Sequence, residues 1–406
     1  FGQANKGVAT CVLPAQFNRA EMRLFLAIAI AIFLLPEFAH GQGVDAAGLM
    51  ANGRPTDARA DAMGGGDAAM PGDVRNMLQS PAALVDVNGL ELYHRYATPY
   101  LFFTKATFEH LAVAYRISDR FAIGLRYDDD LLNWNKTTFG GLTFGDMIDP
   151  RRGFIYSPFD AQDRSRTLAA TVAVKIRGGF SVGASMENID VSRANIPLSY
   201  FSFGVRQRLT FHERSGWKYG IIGSLSCTNA SSASETRSVS GKEFTNSLPV
   251  IARAGASYSV EVHKGWLADT LPSLRFTALA QYDNDLTATD NTAIRFGGEL
   301  EVCGLLALRG GWFHQTIPGS ALYESYQKEF TYGFGIILPL QALTKGRIPI
   351  SASIDYTALQ QPNTITTKEG VVVSNGMDYE DFQSIGIRLN FGIGQLCKKR
   401  PKGEGS

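Results

Sequence analysis

Residues 107–128 read TFEHLAVAYRISDRFAIGLRYD, and the fold turns on them. Phe121, Ile123, Leu125 and Tyr127 project to one side of an extended chain, and Ala122, Gly124, Arg126 and Asp128 to the other, because strand side chains alternate between faces. One face is greasy; the other is small or charged. Thr107 to Ile117 repeat the pattern with Leu111, Val113, Tyr115 and Ile117 on one face, and Ser118-Asp119-Arg120 makes the tight connection. The pair reads as an antiparallel hairpin.

Outward from this hairpin the same alternation returns in Gly89–Ala97, Leu168–Ile176, Phe180–Glu187, Tyr200–Phe211, Trp217–Cys227 and Leu248–Val262. It continues in Leu274–Asp283, Ile294–Val302, Leu306–Phe313, Phe330–Leu338, Ile350–Thr357 and Phe382–Phe391. Most of these are near the ~9–11 residues a tilted strand needs to cross a bilayer. Joins at 118–120, 177–179, 212–216 and 303–305 are short, whereas 128–166, 188–199, 229–247, 314–329 and 358–381 are long; 263–273 and 339–349 blur the alternation but fall in the short-side register and remain compact. Outer-membrane barrels keep short turns in the periplasm and long loops outside, so an even strand count puts both ends in the periplasm. Phe121, Phe180, Phe211, Trp217 and Phe391 then form one aromatic girdle, and Tyr127, Phe201, Tyr282, Trp312 and Tyr356 the other. A soluble sandwich has no need of so many long strands with their loops sorted to one end. The expectation is an all-β protein: a transmembrane antiparallel β-barrel of about fourteen strands in a bacterial outer membrane, with the lipids as its first partner.

Composition is compatible with this. The 406 residues carry a formal net charge of +1 with 19% charged residues, which favours neither disorder nor capture of nucleic acid. The hydrophobic fraction of 45% is ordinary, as it is when lipid-facing residues alternate with lumenal ones. One apolar run, Leu24–Leu35, follows Arg19 and Arg23 and leads to Ala39-His40-Gly41. That is the grammar of a secretory signal cleaved after Gly41, with Met22 as the start and residues 1–21 upstream of it. Cys227, Cys303 and Cys397 are scattered without CxxC spacing, so no disulfide framework or zinc site is readable. Residues 42–88 are rich in Ala, Gly and Asp and lack strand alternation, which sets them apart as an N-terminal hatch before a barrel at 89–391. A basic, Gly-rich tail follows at 392–406.

The inward parity collects charge: Arg116, Arg126, Lys175, Arg206, Arg275, Arg295 and Arg309, with Glu299 and Asp355 among the acids. Such groups survive at membrane depth only beside water or each other. They read as a selective pathway or as a structural network that stiffens the lumen, the second being the commoner outcome for any one residue. Chemistry is thin. The histidines show no HExxH spacing, no GxSxG occurs, and Gly64-Gly65-Gly66 lacks the Lys-Ser/Thr of a phosphate loop, leaving a hinge or tight turn. His94 and His110 fall on adjacent strands, where chance proximity outweighs a dyad. No catalytic residue, metal or cofactor is assigned.

The hatch carries recognisable text: Asp57-Ala58-Arg59-Ala60, Met63-Gly64-Gly65 and Ser80-Pro81-Ala82-Ala83-Leu84. It resembles the N-terminal hatch of the FadL superfamily of outer-membrane transporters, and within it the PorV/PorQ group, echoed by Tyr96-Ala97-Thr98-Pro99-Tyr100 and the 108–127 hairpin. The resemblance covers residues 55–130. The family's Asn is Ser80 here, which keeps only a hydroxyl with which to cap the helix that Pro81 opens.

The resemblance implies a non-enzymatic barrel. A PorV-like member would partner protein export or surface attachment by a type IX-like translocon, receiving secreted cargo. A FadL-like member would pass hydrophobic small molecules such as long-chain fatty acids. The hatch text leans to the first. Leu131, Leu132 and Trp134, with Phe139 and Phe144, are candidates for a docking site in the longest external loop, where a loop packing on itself is as good a reading.

Overall fold

The computed structural model describes residues 57–98, 107–134, 138–139, 142–143, 161–191, 198–212, 216–231, 234–239, 242–247, 250–263, 271–286, 292–317, 325–344, 347–359, 364–366, 372–374 and 382–392. The signal segment and nearly all of the basic tail lie outside these residues.

Fourteen strands form the wall: β1 (Leu90–Ala97), β2 (Thr107–Arg116), β3 (Phe121–Trp134), β4 (Ala161–Arg177), β5 (Phe180–Val191), β6 (Leu198–His212), β7 (Trp217–Thr228), β8 (Ile251–Val262), β9 (Leu274–Asp285), β10 (Thr292–Val302), β11 (Leu306–Ile317), β12 (Ser325–Leu338), β13 (Ile350–Leu359) and β14 (Phe382–Phe391). Each pairs antiparallel with its sequence neighbours. β1 and β14 close the sheet with Leu90 opposite Phe391. Closure leaves no edge among the fourteen described strands of the wall, which a lipid environment requires. The start of β1 and the end of β14 share the short-turn end.

Burial is inverted relative to a soluble protein. Leu111, Leu125, Leu168, Phe276, Phe296, Leu308, Tyr332, Ile354 and Ile387 are exposed around the outside, while Arg95, Arg126 and Arg206 are almost wholly buried inside. An apolar outer belt over a polar interior is the surface a barrel presents to lipid. Aromatics stack at its rims: Trp217 on Tyr219 at 6.5 Å and Tyr219 on Tyr258 at 6.4 Å near the short turns, and Phe296 on Trp312 at 5.9 Å towards the long loops. Phe180 is a correction to the expected girdle. It is 3% exposed and packs with Val205, Leu225 and Ala252.

A second correction concerns strand length. β3 and β4 run on as a ribbon beyond the expected membrane segments, so Leu131, Leu132 and Trp134 sit on β3, opposite Arg164, Asp163 and Ala161. They belong to a strand and not to a loop. The paired backbone continues past the band that the alternation marks, where polar-apolar order fades but pairing still satisfies N–H and C=O groups. Phe139 lies in a two-residue hairpin rung with Leu142, and Phe144 is outside the described residues.

Candidate functional site

Residues 57–88 fold inside the barrel. Helix α1 (Ala58–Ala62) starts at Asp57, whose carboxylate accepts from the Arg59 and Ala60 N–H groups. Gly64 and Gly65 follow with φ of 79° and 78°, a left-handed reversal that glycine tolerates without strain. A 3-10 turn, Val74–Met77, is boxed by Asp73 and Asn76, and a second, Pro81–Asp86, begins with Pro81 at its first position. Ser80 does not cap that second turn. Its hydroxyl lies 3.0 Å from that of Ser224 on β7. In the buried interface the hydroxyl finds a partner across the lumen, so the expected capping bond is corrected to a hatch-to-wall bond.

The wall is shaped to receive this segment. A Cβ on Gly297 would stand 2.6 Å from the Met63 carbonyl oxygen, and one on Gly311 2.2 Å from the Gly64 nitrogen. Only glycine lets the two backbones approach so closely. Neutral wall side chains then hold hatch backbone. Thr331 donates to Ala62 and accepts from the Gly64 N–H, Ser257 donates to Ala69 at 2.6 Å, and Ser181 donates to Ala82 at 3.2 Å. Thr357 and Ser226 donate to Ala58 and Gln79, and Gln281 accepts from the N–H groups of Asp67 and Ala68.

Ion pairs bind the same interface. Arg59 donates to Glu299 from Nη2 at 2.6 Å and from Nε at 2.9 Å; Glu299 also holds Arg309 at 2.7 Å. Arg309 reaches Asp355 at 2.8 Å, Asp355 holds Arg75 at 2.7 Å, and Arg75 and Arg388 share Asp73. Seven charges thus alternate in sign from hatch to wall and back. Burial pushes the Asp73 carboxyl up, but the Arg75 and Arg388 guanidiniums outweigh it and hold the group below the usual carboxylate range. On the opposite side Arg206 contacts the Met70 carbonyl at 2.7 Å and Asp86 at 3.1 Å. Arg295 joins Asp283 to the Gly64 carbonyl.

A separate wall network involves Arg126, which bonds Asp128 and Glu187; Glu187 also accepts from Tyr200 and Ser202, and Asp128 meets His110. His94 points outward and does not meet His110; the registers are His94 with Leu111 and Arg95 with His110. Arg275 links Glu261 and Glu301 near the short turns. Arg116 pairs with Asp119 in the adjoining turn and Lys175 is exposed, so both stand at the rim, away from the hatch.

Between these polar attachments run two apolar seams. Met63, Ala69 and Met70 pack with Ile222 and Leu279. Val74, Met77 and Leu84 pack with Tyr93, Ala112, Ala114, Ala122 and Ala173. The holding role of the neutral residues was missed in the sequence. Their signal was the glycines and hydroxyls placed at inward positions of long strands, where close backbone approach is the usual reason for Gly.

No protein-family model matches the chain, and no curated protein matches it in sequence. Among solved structures it is similar to a Pseudomonas aeruginosa FadL homologue, at 12% identity and a TM-score of 0.43, over 83% of this chain and 98% of that one. The Pseudomonas putida toluene transporter TodX matches at 12% identity and a TM-score of 0.40, over 83% and 98%. The Ralstonia pickettii toluene transporter TbuX matches at 11% identity and 0.39, over 82% and 98%. Similarity of this degree leaves the function to be argued from the chain's own geometry.

Proposed function

We propose that the chain is a passive, non-enzymatic conduit of the bacterial outer membrane for hydrophobic small molecules, with residues 57–88 as its gate. The observation that carries this reading is the composition of the hatch-wall contact. Directional hydrogen bonds and ion pairs fasten the hatch, while two methionine-bearing apolar seams run between them. Thioether side chains are flexible and adapt to different apolar shapes. A shift of the hatch that breaks the polar attachments opens a passage lined partly by these seams. The short-turn end faces the periplasm in this reading, and the long loops receive the solute. Arg59, Gly64, Ser80 and Ala82 fasten the gate by bonds to the wall and Pro81 by close approach to Gly183, while Asp57 and Gly65 shape the gate itself and Met63 belongs to a seam; Arg206, Arg295, Glu299, Arg309 and Asp355 are its anchors in the wall.

The export reading keeps one specific support, the run of alternating charges from Arg59 to Arg388, which suits a lumen that stays shut while the outer rim binds protein cargo or a translocon. Affinity purification of the full chain from native membranes separates the two. The conduit reading predicts a co-extracted apolar small molecule and no stoichiometric protein partner. Recovery of large secreted proteins or a translocon, with no apolar ligand, would replace it by the PorV-like role.

A further inference from the structure

Asp67 is the odd group in the hatch. The residue is 1% exposed, neither carboxylate oxygen makes a hydrogen bond of good geometry, and the side chains that reach the group are the Asn76 amide and the Asp57 carboxyl. Nor can it swing to water. Its backbone N–H is held by Gln281 and Gln79 and its carbonyl by the Asn76 amide, so the residue is pinned from both the wall and the hatch. The acids around it, Asp57 and Asp73, repel a charge there; Arg206 on β6 is a cation in range, but it bonds Asp86 and the Met70 carbonyl through Nη2 and makes no hydrogen bond to Asp67. From β9 the facing group is the neutral Gln281. A buried carboxylate with one weak amide donor and two acids beside it is costly, and such a group neutralises instead.

We infer that Asp67 is a proton-linked latch: the docked hatch holds it as the neutral acid, and the hatch leaves its seat with release of that proton to water. Burial, then Asp57, pushes the docked carboxyl well above the usual range. Once undocked and hydrated, the same group ionises near its ordinary value of about 3.9. Docking therefore takes up a proton, and linkage makes it about tenfold weaker per pH unit between those two values. The inference deepens the gate reading: it concerns hatch departure, whatever solute then passes.

Two measurements test it without relying on solute transport. Infrared spectroscopy of the purified full chain at neutral pH should show a protonated-carboxyl absorption that is missing from Asp67→Asn; its absence from the unaltered chain overturns the latch. Ion conductance in planar bilayers then reports hatch departure, because the lumen wall is polar. The full chain should open about tenfold more often per pH unit on the alkaline side of pH 4, and Asp67→Asn should stay closed with a flat profile. Parallel pH dependence in both proteins, or no opening in either, overturns the proposal. If the latch results hold and no apolar solute passes, it is the conduit reading that fails.

Discussion

Single residues decide whether the hatch can sit in the lumen. Glu299 is buried between Arg59 and Arg309, so Glu299→Gln leaves Arg59 without its counter-charge and Arg309 with Asp355 alone. Breaking a buried pair from one side costs about 3–5 kcal/mol, and the expected outcome is a hatch digested by protease at concentrations that spare the native chain. Gly297→Leu acts by volume, since its Cβ would meet the Met63 backbone and side chain. Overpacking of about 1–3 kcal/mol should lower the urea midpoint of hatch release without unfolding the wall. Acid adds a third case. The Asp73 value is depressed on docking, so its contribution is complete above about pH 4 and is lost as the pH falls through the docked value. The Asp67 value is raised, so its contribution is present in full below about pH 4 and declines as the pH climbs to the docked value. Protease protection of the hatch should peak near pH 4; protection that rises steadily to pH 9 would contradict both signs.

At the scale of elements, alternation made the strands legible. Leu111, Val113 and Tyr115 against Ala112, Ala114 and Arg116 can be sorted by eye, and β2 pairs with β3 in the register that this sorting demands. The ribbon past Asp128 was not legible, because backbone pairing carries it without two-faced burial. Nor was the seat of the hatch, since Thr331, Ser257 and Gly311 become meaningful only when an unrelated segment lies against them. Phe180 misled for a related reason: an aromatic at a strand end reads as a girdle residue unless its neighbours are known. Two outcomes test the outer face. Leu125→Arg should destabilise the folded barrel by about 2–4 kcal/mol near the bilayer midplane, read from folding into vesicles against urea. Trp312 and Trp217 fluorescence should be quenched most by bromines placed at headgroup depth; maximal quenching from the bilayer centre would contradict the rim assignment.

At the scale of the molecule, the wall closes on itself through fourteen antiparallel pairs and owes none of them to the hatch. A barrel lacking residues 57–88 should therefore still fold and keep its resistance to detergent at room temperature. The whole account rests on the hatch being a gate for apolar solutes. The direct test is uptake of a radiolabelled apolar aromatic by vesicles with a lipopolysaccharide outer leaflet, comparing the full chain, Glu299→Gln and protein-free vesicles. Uptake faster with the full chain than without protein, and faster again with the loosened hatch, is the predicted result. Equal uptake in all three would contradict it.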